Sequence, residues 1–211
     1  MLTSRMLAWV PVFLLLLGLV PEQTQAQRPR CSCEMNDEYG TVPLTGTYPE
    51  GQGGVLQDLR RFASLHEAFD DDYGYVRLVA LLSPTCPDCI RGFRTIQRIL
   101  ADIDDDGLRV YVVWEPILPS DNRRAAERIA REVSDDRVIQ FWDDRRLTGR
   151  LWERTLDIDQ TAWDVFMVYG PEAEWTGRPT VPDFWMHQLG VRKAPRLNRR
   201  GLETEIRAML R

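Results

Sequence analysis

Four stretches of the chain are apolar at almost every position: Val76–Leu82, Leu108–Trp114, Val138–Trp142 and Val165–Tyr169. Continuous apolarity over so few residues predicts short strands buried on both faces. Residues 181–189 read as one more strand, joined to 165–169 by a loop through Gly170-Pro171. Between these runs the apolar positions recur with a helical period. Leu56, Leu59, Phe62, Ala63 and Phe69 predict a helix that begins near Val55 and stops at Asp70-Asp71-Asp72-Tyr73-Gly74. Ile90, Phe93, Ile96, Ile99 and Leu100 give one apolar side to a helix over residues 87–101. Residues 122–133 read as a charged helix with a thin apolar side, and residues 146–156 as a helix built on Leu147, Leu151 and Trp152. Leu202, Ile206, Met209 and Leu210 mark a terminal helix. Strand, helix and strand in succession imply parallel strands with a right-handed crossover. The whole order predicts an α/β sandwich.

The first 54 residues follow a different pattern. Arg5 precedes an apolar run over residues 7–20, too short to span a bilayer comfortably and suited to a signal peptide. Thr24-Gln25-Ala26 sets small side chains where signal peptidase cuts, so residues 1–26 are expected to be removed. The rival reading is a retained membrane anchor. Residues 27–54 are rich in Gly, Pro, Thr and Glu without an apolar period, and are expected to form an extended lead-in to a single domain over residues 55–211. Either fate of the leader places the body outside the cytoplasm, periplasmic or secreted, where disulfides persist.

Composition narrows the function. The 211 residues are 44% hydrophobic and 28% charged, which is ordinary for a globular protein. A net charge of −5 argues against a nucleic-acid partner, which calls for a basic face. Four cysteines are too few for a disulfide scaffold, and they fall in two close pairs.

The pair Cys86-Pro87-Asp88-Cys89 lies between a predicted buried strand and a predicted helix. That placement puts Cys86 at the helix N-cap and Pro87 at the first helical position, where a missing N–H costs nothing. The free N–H groups and the helix dipole favour a thiolate at Cys86. Cys89, one turn in, is close enough to close a disulfide and more buried. Cys86 is therefore the candidate attacking sulfur and Cys89 the resolving one. Asp88 opposes the thiolate charge, and Arg91 and Arg94 offset it, which points to a moderate redox potential.

Here the chain resembles the thioredoxin superfamily: a buried strand at Val76–Leu82, then Cys86-Pro87-Asp88-Cys89, then the helix that follows. The resemblance extends loosely over residues 55–211. It implies a three-layer sandwich on a central mixed sheet, with an insertion between the two halves. It also implies dithiol–disulfide exchange with protein or small-molecule thiols, no cofactor, and a redox partner that resets the pair. Two departures stand out. The family's buried acid, six residues before the attacking cysteine, is Ala80 here. The family's cis-proline before the hairpin falls on Ala162-Trp163-Asp164, unless Pro182 fills that place through a register shift. Two acids are then candidates for proton handling. Glu115 follows the strand Leu108–Trp114 and ends on the same sheet edge as Cys86, a position for a general base toward Cys89. Asp164 stands beside the expected proline site, and Trp163 next to it is placed to cover the cysteine pair.

Other features carry weaker signals. Cys31-Ser32-Cys33 would close a strained, easily reduced ring, and could relay electrons or bind a soft metal such as Cu(I). A copper carrier using Cys86 and Cys89, with or without Cys31 and Cys33, is one alternative function. A redox-inactive binding module is another. His66 and His187 lack ligand spacing, and packing explains most of the tryptophans. Asp70-Asp71-Asp72 and Asp104-Asp105-Asp106 lack a calcium loop's alternating ligands and read as turns.

Overall fold

The computed structural model describes residues 54–211. The expected signal peptide, nearly all of the lead-in, and Cys31 and Cys33 lie outside the described residues. Among the described residues the order is β1 (Leu56–Asp58), α1 (Phe62–Asp71), β2 (Val76–Leu82), α2 (Pro87–Asp102), β3 (Leu108–Trp114), α3 (Arg123–Ala130), β4 (Val138–Trp142), α4 (Leu147–Thr155), β5 (Val165–Tyr169), β6 (Phe184–His187) and α5 (Arg199–Met209). The strands form one sheet in the order β1-β4-β3-β2-β5-β6. Strands β1 to β4 are mutually parallel where they pair, β5 runs antiparallel to β2, and β6 runs antiparallel to β5. This is a thioredoxin-like fold, with α3, β4 and α4 between its two halves.

The two-residue repeat of a strand sorts side chains into two cores. Val76, Leu78, Ala80 and Leu82 of β2 pack with Val110, Val112 and Trp114 of β3 beneath Phe93, Ile96 and Ile99 of α2 and Leu202 and Ile206 of α5. Val79, Leu81, Tyr111 and Val113 face the other way, against Leu65 and Phe69 of α1 and Trp152 of α4. The three layers expected from the sequence are therefore present, and β2 to β5 span the residues that the apolar runs marked.

One element differs. Leu56 belongs to a short edge strand that pairs with β4 through Leu56 and Gln140, so the first helix begins at Phe62. Leu56, Leu59 and Phe62 have helical spacing, but β4 offers an unpaired edge whose backbone groups need partners, and strand pairing wins over the local period. Strand β6 is also shorter than the 181–189 run, because residues 181–183 belong to the connection from β5.

Arg77 breaks the apolar pattern of β2. Its side chain is buried, and its guanidinium reaches the carbonyls of Tyr75, Phe69, Gly170, Pro171 and Ala173 at 2.8–3.1 Å. The group also lies 4.0 Å over the Phe69 ring. It ties the end of α1 to the loop after β5, far along the sheet from the cysteine pair.

Helix α2 lies close to the sheet at Gly92. A Cβ there would come within 2.4 Å of Phe166 Cζ and 3.1 Å of Gln188 Nε2. The absence of a side chain at 92 lets the first turn of α2, with Cys89, sit against β5 and the end of β6. Among the described residues no helix is long and apolar enough to cross a membrane.

Candidate functional site

Strand β2 ends at Leu82, and a three-residue turn brings the chain to Cys86. Asp121, in the loop after β3, fixes that turn. Its Oδ1 accepts from Thr85 N at 3.0 Å and from Thr85 Oγ1 at 2.6 Å. Its Oδ2 accepts from Ser83 Oγ at 2.7 Å and from the N–H groups of Ile117 and Leu118 at 2.8 and 2.7 Å. One carboxylate thus braces two neighbouring loops at the sheet edge. No sequence motif marks Asp121; its partners become neighbours only once β2 and β3 pair.

Cys86 is the N-cap of α2, with Pro87 at the first helical position, as the sequence predicts. The helix starts there because Pro87 presets its φ and gives up an N–H that has no helical acceptor. Cys86 keeps 8% of its surface exposed and Cys89 none. Both sulfurs are thiols here, outside any disulfide. Burial pushes the Cys89 thiol far above its ordinary range, and the Asp164 charge adds to the shift. Asp88 is ion-paired with Arg91, so the charge between the two cysteines is offset by a neighbour on its own helix.

Asp164 completes the cluster. Val165 pairs with Leu81, and the Asp164 N–H donates to the Leu81 carbonyl at 2.7 Å. The hairpin alignment that sets Ala162-Trp163-Asp164 beside the pair is therefore the one adopted, and Pro182 lies in the connection at the opposite end of β5. There is no cis peptide bond among the described residues. Asp164 instead takes φ 55°, in the left-handed region that Asp tolerates better than most residues. Asp164 is 2% exposed, and the two sulfurs and a carboxylate oxygen lie within 4.8 Å of one another. Burial raises the Asp164 carboxyl above its ordinary value, against the opposing hydrogen bonds from Gln188 and the Cys89 thiol. Ala80 of β2 faces the same side of the sheet as Asp164.

Gln188 was not singled out in the sequence. Its amide nitrogen lies 2.8 Å from Asp164 Oδ1 and 2.8 Å from the Asp88 carbonyl, linking the acid to the first turn of α2. Trp163 is half-buried and packs against both cores at the rim of the sheet, next to Asp164.

Glu115 is not brought to the pair. It does lie at the same sheet edge, but the strand repeat turns it to the Val113 side. There Oε1 accepts from Thr148 Oγ1 at 2.8 Å and Gly149 N at 2.7 Å, while Oε2 is buried without a partner. Asp143 shares the same Thr148 hydroxyl at 2.7 Å. Burial and the Asp143 charge push the Glu115 carboxyl up to about 8. Neither histidine joins the cysteines: His66 Nε2 meets the Trp175 carbonyl at 2.7 Å, and His187 Nε2 meets the Ala194 carbonyl at 2.9 Å.

No protein-family model and no curated protein matches the chain. Among solved structures, a candidate thiol:disulfide interchange protein DsbE from Chlorobium tepidum is 16% identical, with 68% of this chain and 85% of that chain covered and a TM-score of 0.48. DsbF of MTB, solved in mixed oxidized and reduced forms, is 13% identical over 66% of this chain and 84% of that one, with a TM-score of 0.43. A secreted Mycobacterium tuberculosis disulfide oxidoreductase is 11% identical over 66% and 85%, with a TM-score of 0.42. These likenesses are distant and partial. The thioredoxin-like assignment rests on the strand order and on the place of Cys86 and Cys89 within it.

Proposed function

We propose that the protein is an exported thiol–disulfide oxidoreductase in which Cys86 attacks, Cys89 resolves and Asp164 handles the resolving proton. The reading is carried by the contrast between the two sulfurs. Cys86 is at the solvent edge and at a helix N-terminus. Cys89 is fully enclosed, with an Asp164 carboxylate oxygen within 4.8 Å of its sulfur.

In the reducing direction the Cys86 thiolate attacks one sulfur of a partner disulfide, and the other partner sulfur leaves as a thiolate. Cys89 then passes its proton to Asp164 and attacks Cys86 Sγ. The second partner sulfur departs and takes up that proton. The pair ends as a disulfide, and a separate dithiol partner returns it to the reduced state. The oxidising direction is the same sequence reversed. Without Asp164, Cys89 would have to ionise unaided in a dry site, which burial strongly opposes. Gln188 fixes the carboxyl by donating to Asp164 Oδ1. Export is supported by the apolar run over residues 7–20 and the small residues before Gln27.

Mass-mapped alkylation of the reduced protein at neutral pH tests the roles of the two sulfurs. Cys86 should label far faster than Cys89. Equal rates, or faster labelling of Cys89, would reverse the assignment. Exchange with a dithiol reductant should disappear in Cys86→Ser.

A further inference from the structure

We propose that the reduced site is also a zinc site, with Cys86 Sγ, Cys89 Sγ and one Asp164 carboxylate oxygen as its ligands. These are the three groups among the described residues whose ligand atoms converge, each lying within 4.8 Å of the others. Zinc–sulfur and zinc–oxygen bonds of about 2.3 and 2.0 Å in a tetrahedron require ligand atoms about 3.5–4 Å apart. Contraction by at most about 1.3 Å closes the set.

The donor set selects the ion. Two thiolates and a carboxylate suit Zn(II), which accepts sulfur and oxygen together. Cu(I) is satisfied by soft sulfur and gains little from a carboxylate, so Asp164 shifts the preference away from copper. Calcium and magnesium call for oxygen ligands that this site does not provide. The surroundings suit a bound cation as well. Cys89 and Asp164 are enclosed, which shields an ion held there from solvent. Gln188 Nε2 donates to Asp164 Oδ1, the type of outer hydrogen bond that orients a ligating carboxylate. Three protein ligands leave a fourth position, on the side where Cys86 meets solvent, for a water or a small thiol.

No electrons move on binding. Each ligating thiol releases its proton to solvent and forms a metal–sulfur bond. A disulfide has no thiolates to offer, so bound zinc and the Cys86–Cys89 disulfide exclude each other. The ion therefore holds the pair reduced and withholds it from exchange until a stronger chelator removes it.

The experiment uses the full chain with Cys31→Ser and Cys33→Ser, so that zinc bound by thiols belongs to the buried set. The reduced protein is titrated with zinc against a coloured chelator. One zinc per chain is expected, with protection of Cys86 from alkylation and loss of binding once the disulfide forms. Asp164→Asn should weaken the affinity at least about tenfold, and Gln188→Leu by a smaller factor. Equal affinity in Asp164→Asn, equal binding by the oxidised protein, or unprotected Cys86 would overturn the proposal. X-ray absorption at the zinc edge of the parent protein tests the two-sulfur set even if Asp164→Asn fails to fold. Two sulfur neighbours with a completing oxygen shell are expected, and a sulfur-only shell rejects Asp164 as a ligand. Exchange activity is measured separately, so failure of the redox reading and failure of the zinc reading give different results.

Discussion

Gln188 grips Asp164 twice. Its side-chain amide donates to Asp164 Oδ1 at 2.8 Å, and its backbone N–H donates to the Asp164 carbonyl at 3.0 Å. The same side-chain nitrogen reaches the Asp88 carbonyl on α2, so the acid and the cysteine helix share one brace. Gln188→Leu should therefore slow closure of the Cys86–Cys89 disulfide by about tenfold while leaving the first attack by Cys86 unchanged. Asp164→Asn should slow the same step by about a hundredfold. Rapid quenching with a labelled disulfide substrate reads both, because the mixed disulfide on Cys86 accumulates only when resolution is the slow step. Equal slowing of attack and closure in Gln188→Leu would mean general distortion of the site.

Glu115 should make stability fall as pH rises. Its folded-state carboxyl holds a proton up to about 8, whereas 4.5 is the ordinary value. Between those values the unfolded chain has released the proton and the folded chain retains it. The unfolded state then binds fewer protons, so raising the pH favours it. Stability from this group is intact below about pH 4.5, declines through neutrality and levels off above about pH 8. Asp143, Thr148, Gly149 and Arg146 surround the carboxyl, and Glu115→Gln leaves them in place. Denaturant midpoints for the two proteins at about pH 5 and about pH 9 should converge at the acid end and separate at the alkaline end, with the variant the more stable. Parallel pH profiles would show that Glu115 ionises normally.

Arg77→Leu should destabilise the fold by at least about 3 kcal/mol without changing the relative reactivity of the two cysteines. Five carbonyls lose their shared donor, and Leu cannot replace it. A denaturant melt measures the loss, and alkylation of the reduced variant below its transition checks that the pair is unaffected. A loss under about 1 kcal/mol would mean that water takes over the carbonyls.

Trp163→Ala should raise turnover of a protein disulfide more than turnover of a small one. The indole is half-buried at the rim next to Asp164, and under the proposed function it narrows the approach of an extended partner chain. Steady-state rates of both variants on insulin and on a small aromatic disulfide separate the outcomes. Equal slowing of both substrates would assign Trp163 to packing alone.

The sequence marks β2, β3, β4 and β5 to the residue because each is an apolar run broken by no more than one charged or amide side chain. It misleads at Leu56 and Leu59, where a three-residue edge strand has too few positions to show a two-residue period. Asp164 lies near Cys89 because the β5–β6 hairpin sets its register against β2. Glu115 reaches the expected edge, yet one more count of the alternation sends it to the opposite face. Arg77 is hidden because a charge inside an apolar run has no local signature of its five carbonyl partners. Gln188 and Asp121 are likewise silent, as their partners come from chain segments joined only by the finished sheet.

The backbone at position 164 limits what this chain can become. Asp164 sits at φ 55°, while the ring of a proline holds φ near −65°. A single codon change to proline would remove the acid and also the N–H that binds Leu81, and would ask the loop to rotate by more than a quarter turn. An acid and a proline are thus exclusive solutions at position 164, because they need opposite signs of φ.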